Sequence, residues 1–259
     1  MTRRPPPVVV ALSVTAAAFL LLPLAGLVSR APWSGAAREL GRPEFHTALR
    51  LSLICSLGAT AISLVLGVPL ALLLARHRFP GRRLLRGLVL LPMVLPPVVG
   101  GVALLTALGR RGIAGGLLHR AGIALPFTTA GAVVAGAFVA LPFMVVTVEA
   151  GLRSLDARLD EAAAPLGAGP WQTFRRVTLP LLGPALWAGG ALTWARALGE
   201  FGATITFAGN APGRTRTLPI EVYLALESRP DEAILLSVLL LGVSLGVLLS
   251  LRGRWLGLQ

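Results

Sequence analysis

The sequence predicts an all-α polytopic membrane protein with about six transmembrane helices, and three observations carry that prediction. Of 259 residues, 55% are apolar and only 14% charged, outside the range of an ordinary water-soluble domain of this length. The apolar residues fall in long unbroken runs, and a hydrocarbon core about 30 Å thick needs roughly 20 helical residues to cross it. The strict alternation of a membrane barrel is missing from these runs, and lipid admits only helices or closed barrels.

Taken in order, the predicted spans lie near residues 8–28, 47–75, 84–108, 127–150, 181–207 and 233–251. The first follows Arg3 and Arg4 as a secretory signal would, but it is long, lacks a small-x-small cleavage site and precedes five further segments, so an uncleaved helix is expected. Prolines recur inside the spans, at Pro69, Pro92, Pro96, Pro97, Pro142 and Pro184, where each removes a backbone donor and tends to kink its helix. Pro and Gly are also simply commoner in membrane helices. The run Leu91-Pro92-Met93-Val94-Leu95-Pro96-Pro97, followed by Gly100-Gly101, leaves several backbone groups in need of partners at membrane depth. Such irregularity is tolerated against protein or a watery cavity. No linker or persuasive repeat divides the chain, so residues 1–259 are expected to form one membrane domain.

Six crossings place both termini on one side, and the arginine bias of the loops puts that side in the cytoplasm. The densest loop, Arg76 to Arg86, carries five arginines in eleven residues and is expected to face anionic lipid headgroups. The net charge of +13 does not imply nucleic acid, because the arginines are dispersed with no interleaved aromatic platform. All 24 basic residues are arginine. A P-loop needs a lysine on the nucleotide phosphates, so any ATP-driven motor must be another chain. The single cysteine, Cys55, excludes an internal disulfide, and His46, His77 and His119 are too scattered for a metal cluster. Ser, His and carboxylates do not cluster as an enzyme site would require.

The loop 153–180 interrupts the apolar pattern and reads as two short helices with a turn between them. Ser154 is placed as an N-cap, with Asp156 in the first turn. Leu155, Leu159, Ala162 and Leu166 recur at helical intervals, Gly167 suits a helix end, and Pro170 suits the first position of a second helix through Trp171, Phe174 and Val177. Leu179-Pro180 is expected to stop that helix at the membrane. Glu161-Ala162-Ala163, three residues, Gly167, nine residues, then Val177-x-Leu179-Pro180 resembles the cytoplasmic coupling signature of bacterial ABC importer permeases. The resemblance implies the type I importer permease fold in the bacterial cytoplasmic (inner) membrane. It also implies that Glu161, Ala162, Ala163, Gly167, Leu179 and Pro180 couple the subunit to a separate ATPase, which would bind ATP and Mg²⁺. Pro165 departs from a regular helix at this point, since it disrupts the turn that includes Glu161.

A second resemblance bears on substrate. Residues 194–204 (Trp-Ala-Arg-Ala-Leu-Gly-Glu-Phe-Gly-Ala-Thr), then Phe207-Ala208-Gly209-Asn210 and Pro212-Gly213-Arg214-Thr215-Arg216-Thr217-Leu218-Pro219, closely resemble molybdate permeases. The core of this stretch is shared in outline with sulfate and thiosulfate permeases, which implies the tetrahedral oxyanion group. The 212–219 segment favours molybdate, with tungstate following because its oxyanion is nearly isosteric. The resemblance further implies an extracytoplasmic molybdate-binding protein as donor and a homodimer of permease subunits.

Arg196 and Glu200, four residues apart, are placed on one helical face where they can pair. With Phe201 and Thr204 they are the candidate pathway or gate residues; the hydroxyls of Thr204 and Thr206 suit an anion, while Glu200 suits a structural lock better than a ligand. The same spacing fits a helix-packing ion pair with no part in permeation. Two other functions stand beside the molybdate reading: a sulfate or thiosulfate permease of the same architecture, and an ion-gradient-driven secondary transporter, which would show inverted halves and leave the 154–180 loop unexplained.

Overall fold

A computed structural model describes residues 6–155 and 169–255, and every regular element in them is helical. α1 (Pro7–Ser29) opens with proline in its first turn, where the missing N–H costs nothing. It buries no side chain within the chain. A 3₁₀ turn, Trp33–Gly35, and α2 (Ala36–Leu40) lead into α3 (Pro43–Arg76), which at 34 residues is about 50 Å long. Arg42 holds this entrance together by bonding Glu39 at 3.2 Å and Glu232 at 2.8 Å. The hydrogen bond that Arg42 donates to the Glu39 carboxylate raises the arginine's pKa further, so the clamp stays charged at any physiological pH.

α4 (Arg82–Val94) and α5 (Pro97–Leu108) occupy the third predicted span but meet at 120°, so 84–108 is a broken segment, not one straight helix. Pro96 and Pro97 supply no N–H, and each proline pushes the residue before it out of helical geometry. Leu95 and Pro96 accordingly have extended ψ values of 136° and 131°. α6 (Gly115–Arg120) is a short surface helix. α7 (Thr129–Ser154) begins at Thr128, whose hydroxyl accepts from the Gly131 N–H at 3.1 Å. It runs four residues past the predicted end, so Ser154 is its last residue, and the helix that Ser154 was expected to cap lies outside the described residues. The Ser154 hydroxyl donates to the Gly151 carbonyl at 2.8 Å.

Beyond the loop, α8 (Pro170–Thr173) continues through a π-helical turn, Phe174–Thr178, and a further α turn, Leu179–Leu181. Pro180 therefore does not stop the helix as expected. A proline in a first turn needs no hydrogen-bond acceptor, and the backbone ladder carries on through Leu182 N–H to Thr178 O and Leu186 N–H to Leu182 O, both 2.9 Å. α9 (Gly183–Leu198) and α10 (Gly202–Ala208) split the fifth predicted span at Gly199-Glu200-Phe201. α11 (Leu218–Ser228) and α12 (Pro230–Trp255) complete the chain, the latter enclosing the sixth predicted span.

Among the described residues, α1, α3 and α7 are each long and apolar enough to cross a membrane, with mean hydropathies of 2.5, 2.3 and 2.3, and the bent α4–α5 pair can count as a fourth span. Against about six kinked spans expected from sequence, the described residues thus show a mixture of long and broken helices, three or four of which pass as spans by length and composition. The core is a seam between α3 and α7 lined with small residues: Ser56, Ala59 and Ser63 on one side, Ala132, Gly136 and Ala140 on the other. A Cβ at Gly136 would stand 3.2 Å from that of Ala59, which shows how closely the backbones approach. Without a hydrophobic drive between helices in lipid, such close packing is what holds them together.

Candidate functional site

The break between α9 and α10 is built by its own residues. The Glu200 carboxylate accepts from the Ala203 N–H at 2.8 Å, satisfying a first-turn donor of α10, and its second oxygen pairs with Arg196 at 2.6 Å. Its side chain is only 2% exposed, against 28% for Arg196, so the arginine carries the solvent-facing side of the pair. Sequence reasoning placed both on one helix; the pair exists, but Glu200 lies beyond the end of α9 and serves two helices. A negative charge at a helix N-terminus is favoured by the helix dipole.

Phe201 stacks on Tyr223 of α11 with ring centroids 4.9 Å apart, so it faces away from the carboxylate's cavity. Thr204 is buried, and the Thr206 hydroxyl is spent on the Gly202 carbonyl at 2.8 Å. Ser52, Cys55, Gly136, Glu200, Thr204 and Thr217 border a cavity of only about 10 Å³. That is room for about one water and none for a tetrahedral oxyanion. The Thr217 hydroxyl in the same wall is buried with no hydrogen-bond partner.

The 209–217 loop owes its shape to its polar residues. Gly209 and Gly213 take φ of 75° and 72°, values an L side chain rarely adopts. The Thr215 hydroxyl accepts from Ala211 N–H at 2.9 Å, Thr129 donates to Arg214 O at 2.7 Å, and the Leu218 N–H reaches Ser52 Oγ at 2.7 Å. The Pro-Gly-Arg-Thr motif is therefore a folded clasp over α3 and α7, with the Thr215 hydroxyl occupied internally.

Sequence reasoning missed two polar anchors. Trp194 Nε1 donates to Ser56 Oγ at 2.7 Å, joining α9 to α3. Glu149, 10% exposed, accepts from Arg153 at 2.8 Å and also from Arg86. A lone carboxylate inside an apolar run was the available signal for Glu149. Of the proposed coupling residues, Glu161, Ala162, Ala163 and Gly167 lie outside the described residues. Leu179 and Pro180 are exposed at the end of the α8 run, one turn before the buried Leu182.

Comparison with known proteins places this geometry. The chain is 47% identical to the "Molybdenum transport system permease protein ModB" of Mycobacterium tuberculosis, covering 91% of this chain and 89% of that one. Against the Escherichia coli protein of the same name the identity is 42%, covering 83% and 93%. The E. coli "Sulfate transport system permease protein CysT" is 38% identical, covering 91% and 88%. Among solved structures, a bacterial ABC transporter involved in import of the acidic polysaccharide alginate superposes with a TM-score of 0.74 at 20% identity, covering 97% of this chain and 94% of that chain. The MetNI methionine ABC transporter in inward-facing conformations gives 0.59 at 20% identity, covering 80% and 94%. Helical architecture is thus shared well beyond the range of close sequence similarity. With its residues 67–257 matching that family's sequence profile, the chain belongs to the binding-protein-dependent transport system inner membrane components.

Proposed function

We propose that this chain is the transmembrane subunit of an ATP-driven importer that carries molybdate, and tungstate with it, across the cytoplasmic membrane. The observation that carries this reading is the 47% identity to a molybdenum permease over nine-tenths of the chain, against 38% for the sulfate permease. Two copies of the chain surround the pathway, each docked on a separate ATPase chain that binds ATP and Mg²⁺. An extracytoplasmic binding protein delivers the anion, and both termini face the cytoplasm. A solved bacterial alginate ABC transporter of like fold, in complex with a periplasmic protein that carries an alginate pentasaccharide, supports the binding-protein part of this reading.

In this reading the loop around Glu161 to Gly167 docks on the ATPase, and Leu179-Pro180 begins the lever. The hydrogen-bond ladder through Leu182 supports the idea, since displacement at Pro180 travels along α9 about 24 Å, at 1.5 Å per residue, to Arg196. The π-helical turn Phe174–Thr178 supplies a local irregularity of the kind often found at working sites. Opening separates α9 from α10 at Glu200, enlarges the small cavity beside Thr204, and leaves Arg196 as the cation nearest a passing dianion. Arg196, Glu200, Phe201 and Thr204 form the gate.

Uptake of radiolabelled molybdate into vesicles holding the permease, its ATPase and the binding protein tests this. Excess tungstate should compete and tenfold excess sulfate should not, with uptake strictly dependent on ATP inside. Equal competition by sulfate would establish the second reading, a sulfate or thiosulfate permease, which the 38% identical relative favours. Uptake driven by an ion gradient without ATP would overturn both.

A further inference from the structure

We propose that the basic pocket at the α3–α4 junction holds the phosphate headgroup of an anionic glycerophospholipid, with an acyl chain lying along an exposed leucine stripe of α4. Gly81, at φ 86°, folds the chain so that the start of α4 returns against the end of α3. The resulting recess, about 990 Å³, is lined by Arg76, Arg78, Arg82, Arg83, Arg86 and Arg153. Arg76 is engaged by a contact of its own, and the other five guanidiniums face one described carboxylate, Glu149, which is already committed to Arg86 and Arg153.

The helix adds to the charge. No side chain caps the start of α4 and no acidic residue lies in its first turn, so the positive end of a 13-residue helix opens toward the recess. Arg82 and Arg86 both donate to the Leu74 carbonyl, which fixes their guanidiniums, while Arg82 Nε is buried with no hydrogen-bond partner. A buried donor without an acceptor is costly. A phosphate oxygen supplies acceptors of the right charge, and arginine binds phosphate by paired N–H groups.

What selects a lipid over a free anion is the surface below the recess. Leu84 lines it, and Leu88 and Leu91 follow at intervals of four and three on the same face of α4, exposed by 68%, 55% and 46%. Leu85 and Val89, a step round the helix, pack into the core cluster with Met144 and Leu182 and set the stripe outward. A charged recess continuous with an apolar track matches a molecule carrying a phosphate on a hydrocarbon chain. Basic pockets at the membrane surface bind such headgroups.

The test exposes the full-length permease, purified in mild detergent, to mixed vesicles of equal phosphatidylglycerol and phosphatidylcholine, and reads retained lipid by native mass spectrometry. Phosphatidylglycerol should be enriched on the wild type. The surface variants Arg78→Gln and Arg83→Gln should each lower that enrichment about fivefold, with unchanged elution on gel filtration, while Arg110→Gln with Arg111→Gln leaves it intact. Equal retention of the two lipids by the wild type, or enrichment unmoved in both recess variants, would overturn the proposal. So would displacement of the bound lipid by millimolar inorganic phosphate, which would mark a free-oxyanion site instead.

Discussion

Glu200 answers to two partners at once, and its removal separates their contributions. Glu200→Ala strips the Ala203 N–H of its acceptor and leaves Arg196 uncompensated, so it should lower stability by about 3 kcal/mol, as loss of one member of a buried pair does. Glu200→Gln keeps an oxygen for Ala203 and should lose less than half of that, measured as the midpoint of thermal unfolding in detergent. An equal loss in both variants would show that charge, not capping, is what matters. The pairing was legible in the sequence because i,i+4 spacing is local. The cap was not, because residues 181–207 read as one apolar run and nothing in that run marks Gly199 to Phe201 as a break until α5 packs beside it. Thr215 and Thr217 were read as part of a substrate signature, yet one closes its own loop and the other lies buried, arrangements that depend on contacts from α3 and α7.

At the scale of elements, α5 and α10 are held together by glycine. A Cβ on Gly101 would stand 2.6 Å from Thr206 Cβ, and one on Gly202 would stand 2.7 Å from Pro97 Cβ. Gly101→Ala and Gly202→Ala should each destabilise by about 1–3 kcal/mol, the usual cost of overpacking, and should impair uptake more than membrane insertion. Gly87→Ala on α4, with open space around it, is the control and should be neutral or mildly stabilising. Parallel thermal melts and uptake assays on the three variants check both statements. The long apolar helices were legible from hydropathy, and so was the weakness at Pro96-Pro97, whereas α2, α6 and α11 were not. The 120° turn was not, because its angle is set by what α5 rests on, and that partner, α10, is 94 residues further along from Gly202 back to Leu108.

At the scale of the whole molecule, the proposed function has force passing from an ATPase through the loop after α7 to the break beside Glu200. Glu161→Ala or Gly167→Val should cut molybdate uptake at least about tenfold, the order expected for losing a coupling of 1–3 kcal/mol. Membrane insertion should be unaffected and ATP hydrolysis should persist. Uptake at the wild-type level in both variants would remove the docking role from this loop. The family was legible from sequence because the Glu-Ala-Ala spacing is short and complete. Where a helix is broken was not: hydropathy measures only how apolar a stretch is, and a broken helix shielded by neighbours is as apolar as a straight one.

The seam of alanine, serine and glycine between α3 and α7 has a mechanical corollary. Surfaces meshed so tightly, with Gly67 lodged against Met144 and Gly136 against Ala59, resist sliding past one another. During a transport cycle the two helices should behave as a single stiff mast, and the strokes of the engine must be taken up by the lighter rigging around it.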